Sequence, residues 1–236
     1  MRNFRFYLLM ALVALTGNVS AQNASTVSQG QVFGVDTEGW NTAWVEYNMG
    51  TFKVDVKGAD DQSFTGFSLG YSHAFSLSLT TPLFVEVGLG GQYSSYEKEW
   101  YEDEEYYDGS GTFRSRRSNG LDLWSLKAPI NFLYRYDIPN SLVSLMPFVG
   151  VNLRFNVSGK QENYIGYKTL EADVFDDKEM GGSDNTFNRI QLGWHVGMKA
   201  NFLKHIMVGL SYGTDITEIA KKTKINALTI TAGYIF

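Results

Sequence analysis

The densest cluster of groups capable of chemistry is an acidic segment near the middle of the chain, Glu97-Lys-Glu-Trp-Tyr-Glu-Asp-Glu-Glu-Tyr-Tyr-Asp108. Clustered carboxylate oxygens suit a hard cation such as Ca²⁺. The candidates for a cation or partner site are Glu102, Asp103, Glu104, Glu105 and Asp108. The regular spacing of a calcium-binding loop is absent, and arginines follow at positions 114, 116 and 117. We therefore favour the alternative, a solvated hairpin in which an acidic arm faces a basic arm.

A second segment, 158–188, is also rich in carboxylates, among them Asp173, Asp176 and Asp177. Long connections often carry recognition residues, but they are also the most variable parts of a fold. A partner site and an ordinary connecting loop remain equal alternatives for this segment.

Eight titratable residues fall on the polar face of alternating segments, and we expect them to point into one common interior. These lumen-lining candidates are Glu46, Glu86, Lys127, Arg135, Arg154, Arg189, His195 and Lys199. Opposite charges that share a narrow interior pair with one another, because each ion needs a partner where water is scarce. The set fits an ion-selective pore or a plug of ion pairs. The plug is favoured because an eight-stranded interior is only about wide enough for side chains.

Enzymatic chemistry has little support in the sequence. The chain has three histidines and no cysteine, and no nucleophile lies at a recognisable spacing from a base. We expect no catalytic residues, no cofactor and no metal site of the histidine or cysteine type. A membrane-embedded enzyme is only the third hypothesis for this protein.

The elements that must position these residues are eight segments in which apolar and polar residues alternate. They span approximately 43–53, 64–76, 83–96, 120–136, 143–157, 189–202, 205–215 and 225–236. Alternation predicts strands with two different faces, each close to or longer than the roughly 9–11 residues of a tilted membrane-spanning strand. One face contains no Asp, Glu, Lys or Arg. This is expected of a lipid-facing surface, where a central Lys or Arg costs about 2–4 kcal/mol.

The lengths of the connections separate a membrane barrel from a soluble one. They alternate between long and short along the chain, the longest being 97–119 and 158–188 and the shortest 203–204. This alternation is typical of outer-membrane barrels, which have short periplasmic turns and long extracellular loops. The predicted fold class is therefore all-β, an eight-stranded antiparallel up-and-down transmembrane β-barrel.

The N-terminal segment is typical of an exported protein. Arg2 and Arg5 precede an apolar run, and Val19-Ser-Ala21 is a small-residue cleavage pattern, so residues 1–21 are predicted to be a cleaved signal peptide. Residues 22–42 then form a periplasmic segment and residues 43–236 the barrel domain, in the outer membrane of a Gram-negative-type bacterium. The net charge of −5 argues against nucleic acid as a partner, because phosphate binding needs a basic surface.

The last strand resembles the closing strand of bacterial outer-membrane barrels. Its outward set is predicted to be Leu228, Ile230, Ala232, Tyr234 and Phe236, and the chain ends on the aromatic residue. The resemblance implies that Tyr234 and Phe236 meet lipid near the periplasmic rim. There they would act as an assembly signal for the barrel-assembly machinery.

A family resemblance rests on two further stretches. Leu126-Lys-Ala-Pro-Ile-Asn-Phe-Leu-Tyr-Arg-Tyr136 and Pro147-Phe-Val-Gly-Val-Asn-Leu153 resemble strands of the PorT-type outer-membrane β-barrel family. The resemblance implies an eight-stranded outer-membrane barrel, and the founding member is linked to protein secretion and gliding. Within the first stretch Pro129 lacks an N–H group, so we expect a bulge or local bend there.

The sequence thus predicts a monomeric barrel surrounded by outer-membrane lipid, with an unidentified surface or secretion partner. The expected role is non-catalytic: surface interaction, secretion accessory or support of the envelope. A narrow porin-like channel for ions or small solutes is the alternative.

Overall fold

The protein is described by a computed structural model that covers residues 31–32, 35–36, 38–55, 61–105, 111–165, 168–176, 178–180 and 186–236. Eight long strands dominate it: β1 (Trp40–Val54), β2 (Gln62–Ser76), β3 (Leu83–Glu105), β4 (Thr112–Tyr134), β5 (Val143–Ile165), β6 (Ile190–Phe202), β7 (Ile206–Asp215) and β8 (Thr223–Ile235). Four short strands accompany them: Gln31–Val32, Val35–Asp36, Tyr136–Asp137 and Lys168–Asp173. Within these described ranges, no helix has both the length and the apolar character needed to cross a membrane.

The eight long strands form one closed antiparallel ring. Each strand pairs with the next along the chain, and β8 pairs with β1 from Thr223 opposite Val54 to Ile235 opposite Thr42. Closure leaves no open edge within the ring, so its backbone groups are satisfied by neighbouring strands. The predicted fold class and strand order are confirmed.

The two faces of the ring differ as the alternation predicts. Val45, Phe67 and Val149 point outward and are 57%, 50% and 53% exposed. Large apolar side chains follow the same pattern around the ring, a belt that only an apolar environment can cover. The outward face is therefore the surface that meets lipid.

Two of the predicted long loops contain long stretches of strand. The β3–β4 ladder continues through the predicted loop 97–119 as far as Glu105 opposite Thr112. In the predicted loop 158–188, β5 runs on to Ile165 and the short strand Lys168–Asp173 folds back along it. We call this protruding sheet the blade; it comprises residues 97–105, 112–120, 158–165 and 168–173. Its strands were missed because both of its faces are polar, which removes the alternation that marks a strand.

Of the bulge or local bend predicted at Pro129, the bulge is not found there. The β3–β4 ladder skips the pairs opposite Pro129 and Ala128 but resumes in the same register. The register shift lies between Trp124 and Ser125, where Val157 of β5 is the extra residue. The missing N–H of Pro129 therefore interrupts the ladder without slipping it.

The interior has three layers rather than one. At the short-turn end lies a buried apolar cluster, the lower plug: Trp40, Trp44, Ala74, Phe84, Leu133, Met146, Phe148, Met207 and Ile235. At the blade end lies the upper plug: Phe52, Phe64, Leu121, Leu123, Val174, Ile219 and Ile225. Polar and charged residues fill the belt between them. The expectation that the polar face of the strands lines the interior therefore holds only for the middle of the barrel.

Candidate functional site: the lumen and the blade

The central belt is crossed by two lysine–carboxylate pairs. Lys127 on β4 donates to Glu46 on β1 at 2.5 Å. Lys199 on β6 donates to both carboxylate oxygens of Glu86 on β3, at 2.8 and 2.6 Å. Each pair joins strands that are not neighbours in the ring, so the side chains span the lumen. Because all four are nearly inaccessible to solvent, each charge depends on its partner.

Each of these lysines also lies against an aromatic ring of the lower plug. The Nζ of Lys127 is 5.7 Å from the ring centre of Trp44, and the Nζ of Lys199 is 5.2 Å from that of Phe148. Both distances allow a cation–π attraction. Room for the indole comes from glycine, since a Cβ on Gly70 would lie 2.4 Å from Trp44 Cζ2. The glycines of the inward face therefore accommodate aromatic rings as well as polar side chains.

A third pair, Arg154 on β5 with Asp215 on β7, lies nearer the blade. Asp215 is not among the predicted lumen residues, although the inward parity of Ser211 and Gly213 extends to it. Around this pair several buried polar atoms have no partner within the described part of the protein: Arg154 Nε, Asp215 Oδ2, Asn152 Oδ1 and both amide atoms of Gln191. Arg154 and Asp215 line a cavity of about 70 Å³, which has room for about two water molecules at roughly 30 Å³ each. Water held in that cavity can satisfy the pair.

Two of the eight predicted lumen residues lie at the ends of the barrel. Arg135 sits at the short-turn rim, where its Nε donates to Asp137 at 2.8 Å. Arg189 is exposed at the blade end, with its guanidinium 4.3 Å from the ring centre of Phe175. Both follow the inward parity. The Arg135 side chain is only 13% exposed and its guanidinium lies 5.8 Å from the ring centre of Trp40, so it packs against the lower plug, whereas Arg189 lies beyond the enclosed part of the barrel. His195 does lie in the belt.

The three histidines have no arrangement typical of catalysis. His73 and His195 hydrogen-bond to the side-chain oxygens of Asn41 and Asn131, at 2.6 and 2.5 Å. His205 bonds to a backbone oxygen of β8 at 2.9 Å. In the described ranges, no three His, Cys, Asp or Glu residues group as metal ligands do. The absence of enzymatic activity remains a prediction.

The upper plug is completed by two connecting segments, one at Val174 and one at Ile219, which fold over the blade end of the barrel. Val174 and Ile219 are fully buried among the inward residues of the barrel. The Val174 N–H donates to the backbone oxygen of Gly159 at 3.2 Å, and its own oxygen accepts from Phe187 at 2.8 Å. The next residue, Asn188, donates to the backbone oxygen of Ile219 at 2.6 Å. These backbone hydrogen bonds therefore hold the two connecting segments over the end of the barrel.

The blade carries its charges as facing pairs. Arg116 pairs with Glu99, and Arg117 Nε lies 2.9 Å from Glu102. The hydrogen bond and charge of Glu99 raise the pKa of the Arg116 guanidinium. These contacts match the hairpin alternative, in which acidic and basic arms face each other. Such exposed pairs add little stability, typically about 0–1 kcal/mol each.

The other acidic candidates do not converge on one point. Asp103 is exposed opposite Arg114, while Asp173 and Asp176 accept backbone N–H bonds at 2.9 and 2.8 Å in the turn after the last blade strand. Backbone positions are described for Glu104 and Glu105, which belong to β3. Asp108 and Asp177 lie outside the described residues. The carboxylates are distributed along the blade rather than gathered around a cation.

The C-terminal aromatic residues lie on the outside of the closing seam. Tyr234 and Phe236 are 50% and 61% exposed, and their ring centres are 5.1 Å apart. The Phe236 N–H donates to the Asn41 backbone oxygen of β1 at 2.9 Å. The last residue therefore contacts the strand with which β8 closes the ring.

Comparison with known proteins gives one family match. Residues 10–236 match the family model of the outer membrane protein beta-barrel domain. No curated protein matches the sequence.

Several solved structures are similar in fold. Ail, the attachment invasion locus protein of Yersinia pestis, is 17% identical with a TM-score of 0.42; the match covers 84% of this chain and 99% of Ail. The Neisserial surface protein A is 14% identical with a TM-score of 0.43, covering 83% and 97%. The N-terminal β-barrel domain of Pseudomonas aeruginosa OprF is 10% identical with a TM-score of 0.34, covering 84% and 100%.

Proposed function

Because this chain belongs to the outer membrane protein beta-barrel domain family, we propose that it is a closed, non-catalytic barrel that displays the blade at the bacterial surface. The blade is then the part that meets other molecules, whether surface structures or secreted proteins. The short-turn end faces the periplasm in this arrangement, and the lumen serves as a structural core.

The observation that supports this proposal is that three strands continue far beyond the ring. Residues 97–105 of β3 continue for about 30 Å past the last pairing with β2, and β4 and β5 accompany them. A sheet with two polar faces gains little from burial, so its ordering is not required for barrel stability. Its persistence favours a role in recognition over a role in folding.

The porin-like alternative is disfavoured by the composition of the interior. Two apolar plugs lie in series with a belt of paired charges, and an eight-stranded barrel has little space besides. We expect planar-bilayer recordings of the purified protein to show no discrete conductance steps. Reproducible steps that vanish on addition of a lumen-blocking solute would overturn this part of the proposal.

The role of the blade can be tested by shortening it. A variant with residues 99–117 replaced by a short Gly-Ser turn keeps every pairing of the ring. After mild detergent extraction from native membranes, at least one protein that co-purifies with the intact chain should be lost from this variant. Equal co-purification by both forms, with both correctly folded by heat-modifiability on gels, would contradict a blade-centred role.

Three finer assignments are also part of the proposal. The motif residues around Pro129 and Pro147 support placement in the PorT-type branch of the family. Residues 1–21 act as a cleaved signal peptide, and the aromatic end at Phe236 engages the barrel-assembly machinery. The mature protein is expected to be a monomer, and mass spectrometry of the native barrel tests both its N-terminus and its stoichiometry.

A further inference from the structure

One edge of the blade has a strand on one side only. The pairing of β3 with β2 ends at Ser95 opposite Thr65, whereas its pairing with β4 continues to Glu105 opposite Thr112. Within the described part of the chain, no strand pairs with the other side of residues 99–105, which we call the acidic edge. In an antiparallel strand alternate residues direct their N–H and C=O groups to each side. The acidic edge therefore offers backbone donors and acceptors to a further strand.

The acidic residues of this edge indicate which charge a partner strand should carry. Five of its seven residues are acids: Glu99, Glu102, Asp103, Glu104 and Glu105. The compensating cations Arg114, Arg116 and Arg117 lie on β4, one strand further in. Arg116 and Arg117 pair with Glu99 and Glu102, but the five acids outnumber the three arginines, so an incoming strand would meet an excess of negative charge.

The same charges argue against pairing between two copies of the chain. Two acidic edges laid antiparallel would place carboxylates opposite carboxylates, and directly opposed like charges destabilise a sheet. The blade's opposite edge, Lys168–Asp173, contains one lysine and two acids, and one of these acids, Glu171, already faces Lys160 at 3.3 Å. Neither edge of a second copy supplies the cations that the acidic edge needs.

We propose that the acidic edge binds an extended segment of a partner protein that carries Lys or Arg at alternate positions, adding a fifth strand to the blade. Main-chain bonds supply the affinity of such β-strand addition and side chains its specificity. Glu99, Tyr101 and Asp103 share one face of the strand by alternation. The Tyr101 ring already holds the Arg114 guanidinium at 5.1 Å, so the carboxylates are the groups that receive a cation on the partner strand. This inference rests on the proposed role of the blade and specifies its partner.

The test uses a fluorescent eight-residue peptide that alternates lysine with threonine and valine, and the intact barrel in zwitterionic nanodiscs. One control peptide keeps the lysines but is N-methylated at four consecutive residues, which blocks both of its edges. A second control replaces the lysines by glutamates. Fluorescence anisotropy should show saturable binding of the basic peptide and at least about tenfold weaker binding of both controls, as expected for the loss of two or more hydrogen bonds or of charge complementarity.

Two matched variants locate the binding. Asp103→Lys should weaken binding of the basic peptide by about threefold or more, the effect of reversing one exposed charge. Glu171→Lys, on the opposite edge, should leave it unchanged. Equal binding of the N-methylated peptide would reduce the site to non-specific charge attraction and overturn the proposal. A larger effect of Glu171→Lys would place the partner on the other edge, and no binding at all would also refute it. None of these three results would affect the proposed function, which the shortened-blade variant tests independently.

Discussion

The lumen lysine of β6 offers the sharpest test of how the interior is held together. Lys199→Met removes the ammonium group that donates to both oxygens of Glu86, whose side chain is only 5% exposed. Methionine fills similar volume, so the main change is a carboxylate left without its cation. Breaking a buried ion pair from one side costs about 3–5 kcal/mol, a large part of the roughly 5–15 kcal/mol that stabilises a typical domain.

The double variant Glu86→Leu/Lys199→Met separates the charge from the packing. Replacing both members of a buried pair by apolar groups is often neutral or stabilising, so the double variant should lie within about 1 kcal/mol of the wild type. A matched control is Lys160→Met, whose pair with Glu171 is more than half exposed. That change should cost less than about 1 kcal/mol.

The assay is equilibrium unfolding in urea of barrels refolded into detergent micelles, followed by tryptophan fluorescence. With a slope near 2 kcal/mol per molar urea, the single variant should lose about 2 M from its unfolding midpoint. The double variant should recover most of that loss. If single and double variants are equally destabilised, Lys199 acts through its packing on Phe148, and the ion-pair account of the belt is wrong.

Three further predictions concern the glycines, the C-terminus and the blade. Gly70→Ala should cost about 1–3 kcal/mol because its Cβ would lie 2.4 Å from the Trp44 indole and 2.5 Å from the Leu89 backbone oxygen, so both must shift. Gly91→Ala, whose Cβ would meet nothing within 4 Å, should be neutral in the same urea titration. Phe236→Ala should reduce the yield of assembled barrel in membranes more than it reduces the unfolding free energy of barrel already folded; normal assembly would refute the assembly role. Arg116→Gln should change the unfolding free energy by less than about 1 kcal/mol, and a larger loss would mean that the blade contributes to barrel stability.

The fold could be predicted because its strongest signals are local. Alternation identified all eight strands, and the outward set, including Val45, Phe67 and Val149, is exposed as expected. The ring also follows from the alternation of short and long connections. These features depend on neighbouring residues and on the contrast between two faces, both of which a single sequence contains.

The interior could not be predicted to the same depth. Periodicity compares two faces and says nothing about variation along one of them, so Phe52 and Phe64 of the upper plug were not distinguished from polar inward residues such as Asn48. The partners of the lumen charges depend on strand tilt and stagger, which determine what lies across the barrel. Asp215 could have been found by extending the inward parity of β7, but its pairing with Arg154 could not.

The arrangement of the three ion pairs connects the lumen to the blade. One member of each pair lies on a blade strand: Glu86 on β3, Lys127 on β4 and Arg154 on β5. Their partners lie on β6, β1 and β7, so each of the three long blade strands is joined across the lumen to a strand outside the blade. The plugs separate this belt from bulk water at both ends, and charge pairs are stronger where the dielectric is low.

A sheet with both faces in water has no core of its own to fix its orientation. Its rigidity must come from the parts of β3, β4 and β5 that lie inside the barrel, where the three ion pairs act. The closed lumen and the protruding blade are therefore two parts of one arrangement. Space that a channel would leave open is occupied by contacts that hold the strands of the blade in place.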